Sequence, residues 1–172
     1  MLADFCIQEL DLRDIRGAIR ERKIPGVGRA KQWGVAWEYD GKIRLAISLK
    51  SLLSNLAGTT PNRIDDLMGE VANVQLHSPE VVLGYVMVIN RQLDDQQGRW
   101  TNWFRSCLEE LSGRDAPAWA PGTIEAHVLV EAAFEPDPSV LSGAADFDEF
   151  FDTLVARVKE RNPGYETQLD PT

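Results

Sequence analysis

Apolar residues recur along the chain with two different periods, and these periods predict the order of helices and strands. Spacings of three and four residues are typical of helices, whereas strict alternation is typical of strands. The first period predicts helices over 11–22, 61–77 and 101–111 and a further helix that opens at Asp146. Alternation and nearly continuous apolar runs predict strands over 33–39, 43–49, 81–89 and 124–134.

The first two predicted strands form a hairpin. Asp40 and Gly41 lie between them, and an Asp-Gly pair readily adopts the positive φ angles of a two-residue turn. Polar and apolar residues alternate in the second strand, so Ser48 and Lys50 fall on one face of the sheet. The strand therefore carries a hydroxyl group and an ammonium group on the same side.

The order of these elements predicts the fold class. Two strands pair as a hairpin and the later strands are reached through helices, which is typical of a mixed sheet. The chain has 172 residues, the length of one domain, and contains no repeat or linker. We therefore expect one α/β domain over 1–172, with a mixed central β-sheet flanked by helices.

The composition of the chain excludes some classes of protein and argues against others. Hydrophobic residues make up 44% of the chain and charged residues 26%, which excludes a disordered chain. The net charge of −9 argues against a protein that coats nucleic acid through bulk charge, but it leaves room for a local basic groove. The apolar runs are too short to span a membrane, and the first residues lack the basic region of a secretory signal. Cys6 and Cys107 have no metal-ligand spacing, so we expect a reducing, cytoplasmic environment.

Several short motifs occur in an order that points to a known group of enzymes. They are the segments 28–34 and 46–51, the turn at 40–41, the pair Asn62 and Arg63, and the segment 147–163. Together they resemble the PD-(D/E)XK nuclease superfamily, nearest to a branch of type II restriction endonucleases, over most of the chain. The resemblance implies a restriction-endonuclease-like fold, double-stranded DNA as partner and Mg²⁺ as cofactor. It also implies a homodimer or a subunit of a bacterial restriction or defence assembly.

The resemblance also assigns positions to the family's active-site residues. Its two metal-binding acids fall on Gly34 and Ser48, and its catalytic lysine falls on Lys50. In the family the carboxylates hold Mg²⁺, which prefers oxygen ligands, while the lysine orients the nucleophile. Glycine has no side chain and a serine hydroxyl is a weak neutral ligand. The sequence therefore favours a degenerate active site that retains Lys50 and Ser48.

Relocated acids would instead preserve a metal site. Glu38 and Asp40 share strand parity with Gly34, so they would face the same side of a strand without a bulge. Three acids of the following helix are further candidates: Asp65, Asp66 and Glu70. The alternative for each acid is a solvated side chain on the surface.

Four residues are candidates for contacts with nucleic-acid phosphates: Arg29, Lys31, Asn62 and Arg63. The last two open a predicted helix, and the free backbone N–H groups at a helix N-terminus attract anions. His77 and His127 have no further ligands at metal-binding spacing, so we expect structural roles for both.

The sequence leaves three functions open. The favoured one is a DNA-interacting binding or subunit module that keeps a nuclease-like fold with a degenerate site. The first alternative is an active Mg²⁺-dependent endodeoxyribonuclease, with acids such as Glu38 and Asp66 relocated around Lys50. The second is an acidic protein-interaction domain without nucleic-acid contact, which only the net charge supports.

Overall fold

The structure, a computed structural model, describes residues 1–116 and 119–165. Its helices are α1 (Leu2–Leu12), α2 (Leu56–Gln75), α3 (Arg99–Leu111) and α4 (Phe147–Arg161). Its strands are β1 (Ile19–Ile24), β2 (Lys31–Tyr39), β3 (Lys42–Leu52), β4 (Val82–Asn90), β5 (Ala126–Ala133) and β6 (Ser139–Ser142). The predicted α/β class is confirmed.

The strands form one mixed sheet in the order β1-β2-β3-β4-β5-β6. β3, β4 and β5 are parallel, and the outer pairs are antiparallel. Parallel neighbours require a crossover, and α2 and α3 supply the two crossovers. The β2–β3 hairpin turns at Asp40 and Gly41 with φ angles of 52° and 68°, as the Asp-Gly pair predicts.

Helices cover both faces of the sheet and bury a hydrophobic core on each. α2 and α3 pack on one face, where the core includes Trp33, Leu67 and Phe104. α1 and α4 pack on the other face, around Trp37 and Phe151. None of the helices in the described ranges is long and apolar enough to cross a bilayer.

The amino-terminal region differs from the prediction of a helix over 11–22. α1 ends at Leu12, and β1 begins at Ile19 and takes in the last four residues of the predicted helix. Asp14 and Gly17 adopt φ angles of 67° and 85°, which break a right-handed helix. β1 is an edge strand in which every side chain except Ile24 is exposed. Charged side chains suit such an edge because they hinder pairing with other chains.

The helix predicted from Pro61 begins earlier, at Leu56. Asn55 caps it, because its side chain accepts a hydrogen bond from the Gly58 N–H at 3.2 Å. Pro61 therefore lies inside the second turn of α2. The short, fully exposed strand β6 has no counterpart in the sequence prediction.

A buried ion-pair network ties the sheet to α4. Glu125 Oε1 accepts hydrogen bonds from Arg114 at 2.9 Å and from Arg161 at 2.8 Å. Glu125 Oε2 accepts one from the backbone N–H of Leu83 at 2.7 Å. Both guanidinium groups lie over the indole ring of Trp119. Two buried cations therefore share a single carboxylate.

Asp94 caps the first turn of α3. One carboxylate oxygen accepts from the N–H and the hydroxyl of Thr101, both at 2.7 Å, and the other accepts from the N–H of Trp100 at 3.2 Å. Burial alone would raise the pKa of Asp94, but these hydrogen bonds outweigh it and hold the pKa below its ordinary value.

Candidate functional site

The centre of the candidate site is an ion pair between β3 and α2. Lys50 Nζ lies 3.2 Å from Glu70 Oε2 and 3.4 Å from Oε1. The side chain of Glu70 is 6% exposed, whereas that of Lys50 is 29% exposed. A buried carboxylate needs a partner, because an unpaired charge is costly to desolvate. Glu70 therefore holds the ammonium group at a half-buried position that remains in contact with solvent.

Two further polar side chains lie beside this pair. Ser48 is buried and shares the face of Lys50, because the two are separated by one strand period. Its register partner on β4 is Tyr85, which is also buried. Burial raises the pKa of Tyr85, and the nearby charge of Glu70 raises it further. The phenol of Tyr85 therefore stays neutral at the base of the site.

Arg63 borders the same cluster from α2. Its charge acts on Tyr85, where it opposes the rise in pKa. Its Nε atom is buried and has no hydrogen-bond partner among the described residues. Its Nη1 atom lies 3.4 Å from Asp66 Oδ2. Asp66, a predicted metal ligand, is 61% exposed and pairs with Arg63 rather than with Lys50.

Asn62 and Arg63 do not open a helix, so that prediction is wrong. Both lie within α2, and Asn62 Nδ2 is 3.4 Å from the carbonyl oxygen of Gly58 in the preceding turn. The free N–H groups at the start of α2 belong to the turn that follows Asn55, and one of them is already capped. Arg63 is therefore not part of a helix N-terminal anion site.

Gly34 faces away from Lys50. A Cβ atom built on Gly34 would lie 2.6 Å from Leu49 Cγ, and the Leu49 side chain packs in the core on the α1–α4 side. Ser48 and Lys50 occupy the opposite face of β3. An acid at position 34 would therefore collide with Leu49 and would not approach the ammonium group.

Glu38 and Asp40, the other acids considered in this region, also lie away from Lys50. β2 has an irregular register immediately before Glu38, which removes the expected parity. The Glu38 side chain is 47% exposed and accepts a hydrogen bond from Arg22 at 3.1 Å. Its register partner is Ile43, which lies about 23 Å before Lys50 along β3. Asp40 lies in the exposed turn.

Arg29 lies in a loop that α2 holds in place. Asn73 Oδ1 accepts from the Gly28 N–H at 2.7 Å, and Asn73 Nδ2 donates to the carbonyl oxygen of Arg29 at 2.8 Å. A Cβ atom at Gly26 would lie 2.0 Å from the same amide, so this close approach requires glycine. Asn73 follows Glu70 by three residues, and residues at that spacing are neighbours on a helix surface. The backbone of Arg29 is therefore anchored one turn from Glu70.

Asn73 and Tyr85 are the members of this region that the sequence interpretation missed. The paired glycines Gly26 and Gly28 carry a signal for Asn73, because they permit close backbone contact. Tyr85 lies within a continuous apolar run, which is typical of a core residue and gives no separate signal.

The residues around Lys50 do not fit a Mg²⁺ site. Mg²⁺ requires several oxygen ligands in nearly octahedral geometry, whereas Glu70 is the one predicted ligand that contacts Lys50. Glu38 pairs with Arg22 away from Lys50, and Asp66 pairs with Arg63 rather than with Lys50. Over 1–116 and 119–165, no three His, Cys, Asp or Glu side chains are grouped to hold a metal ion. The structure therefore brings together Lys50, Ser48, Glu70 and Arg63 but not the full set of predicted metal ligands.

The comparisons with known proteins give no family assignment. No protein-family model, no curated protein and no solved structure matches this chain.

Proposed function

We propose that this chain is a nucleic-acid-binding module of restriction-endonuclease-like descent, in which the Lys50 site contacts the phosphates of double-stranded DNA without hydrolysing them. The observation that carries the proposal is the ion pair of Lys50 with the buried carboxylate of Glu70. A lysine held in one orientation loses less side-chain entropy when it donates to a phosphate oxygen. Its partial exposure leaves it accessible to such an anion.

Further cations for phosphate contacts lie in the loop before β2, at the first residue of β2 and on α2. The side chains of Arg29 and Lys31 have no ion-pair partner within 1–116 and 119–165. Arg63 contributes a guanidinium group that pairs with Asp66 at 3.4 Å, and its buried Nε has no hydrogen-bond partner among the described residues. Binding to DNA depends on such local contacts, because each neutralised phosphate releases counterions. A net charge of −9 is therefore compatible with a small basic interface.

The proposal does not include hydrolysis, because Glu70 is the one predicted metal ligand that contacts Lys50. Gly34 faces Leu49, and Ser48 supplies a buried neutral hydroxyl in place of an acid. Glu70 already balances the charge of Lys50. A metal-dependent phosphodiesterase needs a cluster of oxygen ligands that positions the ion and the attacking water. Within 1–116 and 119–165 no group of three His, Cys, Asp or Glu side chains supplies such a set.

The binding part of the proposal is tested by fluorescence anisotropy with a labelled duplex oligonucleotide at low salt. Arg29→Gln and Arg63→Gln should each weaken binding by about tenfold, the effect of losing one charged hydrogen bond. Lys159→Gln is the matched control, because it removes one positive charge from α4 on the other face of the sheet. Equal effects of all three variants would contradict an interface at Lys50.

The non-catalytic part is tested by incubation of plasmid and linear DNA with Mg²⁺ or Mn²⁺. We expect intact DNA with the wild-type protein. Cleavage that disappears in Lys50→Ala would overturn this part and establish a metal-dependent endodeoxyribonuclease. Absence of DNA binding at low salt would overturn the whole proposal in favour of an acidic protein-interaction domain.

We also expect a particular assembly and a cellular location, the first from the superfamily resemblance and the second from the cysteines. The resemblance implies a homodimer or a subunit of a bacterial defence complex, and the reduced cysteines favour the cytoplasm. Light scattering on the purified chain, alone and with duplex DNA, measures the oligomeric state.

A further inference from the structure

A cavity of about 490 Å³ lies between α3, β5 and α4. Small-molecule sites in proteins have volumes of about 300–1,000 Å³, so the size suits a small ligand. Ser112 and His127 lie on its wall, and Asp146 and Glu149 line it from the start of α4. None of the residues of the Lys50 site lines this cavity.

Two hydrogen bonds fix the tautomer of His127. Ser112 Oγ lies 2.7 Å from the carbonyl oxygen of Leu108 and 2.6 Å from His127 Nδ1. A carbonyl oxygen only accepts, so the hydroxyl of Ser112 must donate to Leu108. The second bond then requires Nδ1–H of His127 to donate to Ser112 Oγ. In the neutral ring Nε2 is therefore the acceptor.

The acceptor Nε2 is available to a ligand. It has no hydrogen-bond partner within the described part of the chain. Burial lowers the pKa of His127, so the ring stays neutral to a lower pH than an ordinary histidine. Glu109 and Asp146 oppose that shift and Arg105 adds to it, and Glu149 faces the same cavity from α4. The cavity thus presents a neutral imidazole acceptor at physiological pH.

The remaining lining is negatively charged. Three lining carboxylates have no ion pair within the ranges described: Glu109, Asp146 and Glu149. Arg105, the cation among the described lining residues, is ion-paired with Glu131. Glu125 also lines the cavity, but its two oxygens already accept hydrogen bonds. The cavity therefore offers the His127 acceptor beside three carboxylates without an ion pair among the described residues, and its one cation is already paired.

We propose that this cavity binds a small organic polycation of the polyamine class, whose ammonium group donates to His127 Nε2 and to the rim carboxylates. An anion would meet three unpaired carboxylates, and a neutral donor would leave their charge uncompensated. A protonated amine supplies a hydrogen-bond donor for His127 Nε2 and positive charge beside the three carboxylates. The cavity is separate from the Lys50 site, so this inference does not depend on DNA binding.

Spermidine is the probe for the test, with binding measured by calorimetry and by NMR of the histidine rings at low ionic strength. We expect one saturable site and a change in the His127 ring nitrogen shifts, with His77 unchanged as the internal reference. His127→Phe should weaken binding by about tenfold or more, because a charged hydrogen bond is lost. Glu149→Gln should weaken it by up to about fivefold.

Controls separate a built site from general attraction to an acidic protein. Asp11→Asn removes one exposed negative charge from α1 outside the cavity and should leave the affinity unchanged. Glu149 is exposed, so Glu149→Gln keeps the test valid if His127→Phe fails to fold. Lowering the pH until His127 is protonated should abolish the site. The proposal would be overturned if Asp11→Asn and Glu149→Gln changed the affinity equally. It would also be overturned if spermidine left the His127 ring nitrogen shifts unchanged or did not bind.

Discussion

Breaking the Lys50–Glu70 pair tests how the site is held together. Lys50→Met removes the ammonium group and leaves the Glu70 carboxylate without its partner at 3.2 Å. Glu70→Gln removes the opposite charge and leaves the ammonium group, which has access to water. The double variant Lys50→Met/Glu70→Gln removes both charges. These three variants form a double-mutant cycle.

The burial of the two side chains determines how much each substitution lowers the free energy of unfolding. Removing one partner lowers the free energy of unfolding by about 3–5 kcal/mol in a fully buried ion pair and by at most about 1 kcal/mol in an exposed one. Glu70 is 6% exposed and Lys50 is 29% exposed, so the pair lies between these limits. We expect Lys50→Met to lower the free energy of unfolding by about 2 kcal/mol and Glu70→Gln by about 1 kcal/mol. The double variant should cost less than the sum of the single variants by about 1 kcal/mol.

The assay is equilibrium unfolding in urea at neutral pH, followed by circular dichroism and tryptophan fluorescence. Coincident transitions from the two probes establish the two-state behaviour that the cycle requires. If the single effects add to within about 0.5 kcal/mol, the two side chains are not coupled. The reasoning that Glu70 orients Lys50 is then refuted.

Three further substitutions test other parts of the structure. Glu125→Gln should lower the free energy of unfolding by about 3–5 kcal/mol in urea titrations, because it removes the carboxylate charge that two buried guanidinium groups share. Asp94→Ala should lower it by about 1 kcal/mol at neutral pH in thermal unfolding. The pKa of Asp94 is lowered in the folded state, so this difference should shrink as the pH falls through that pKa. Gly34→Asp should destabilise the fold by about 1–3 kcal/mol through its clash with Leu49, and the melting temperature of the variant should not rise when Mg²⁺ is added.

Local sequence patterns predict much of this fold, because several elements are determined by neighbouring residues. The Asp40–Gly41 turn needs positive φ angles, and the alternation in β3 correctly places Ser48 and Lys50 on one face. Glu70 was among the candidates on the following helix, and it does reach Lys50. Its burial follows from tertiary packing, which the helical spacing alone does not reveal.

The misassigned regions have identifiable physical causes. Ile15 and Ile19 keep a helical spacing with Leu12, but Gly17 lies between them and β1 is stabilised by its pairing with β2. Edge strands such as β1 and β6 bury few side chains, so alternation is weak there. The orientation of Gly34 depends on contact with Leu49 across the hairpin, which local periodicity does not contain.

The salt dependence of duplex-DNA affinity for the wild-type protein and Lys50→Gln tests whether Lys50 contacts a phosphate. The logarithm of the affinity should fall linearly with the logarithm of salt concentration in both proteins. The slope should be shallower by about 1 in Lys50→Gln, because one phosphate contact is lost. Identical slopes, or no binding by the folded wild-type protein at low salt, would contradict the assignment of Lys50 to a nucleic-acid interface.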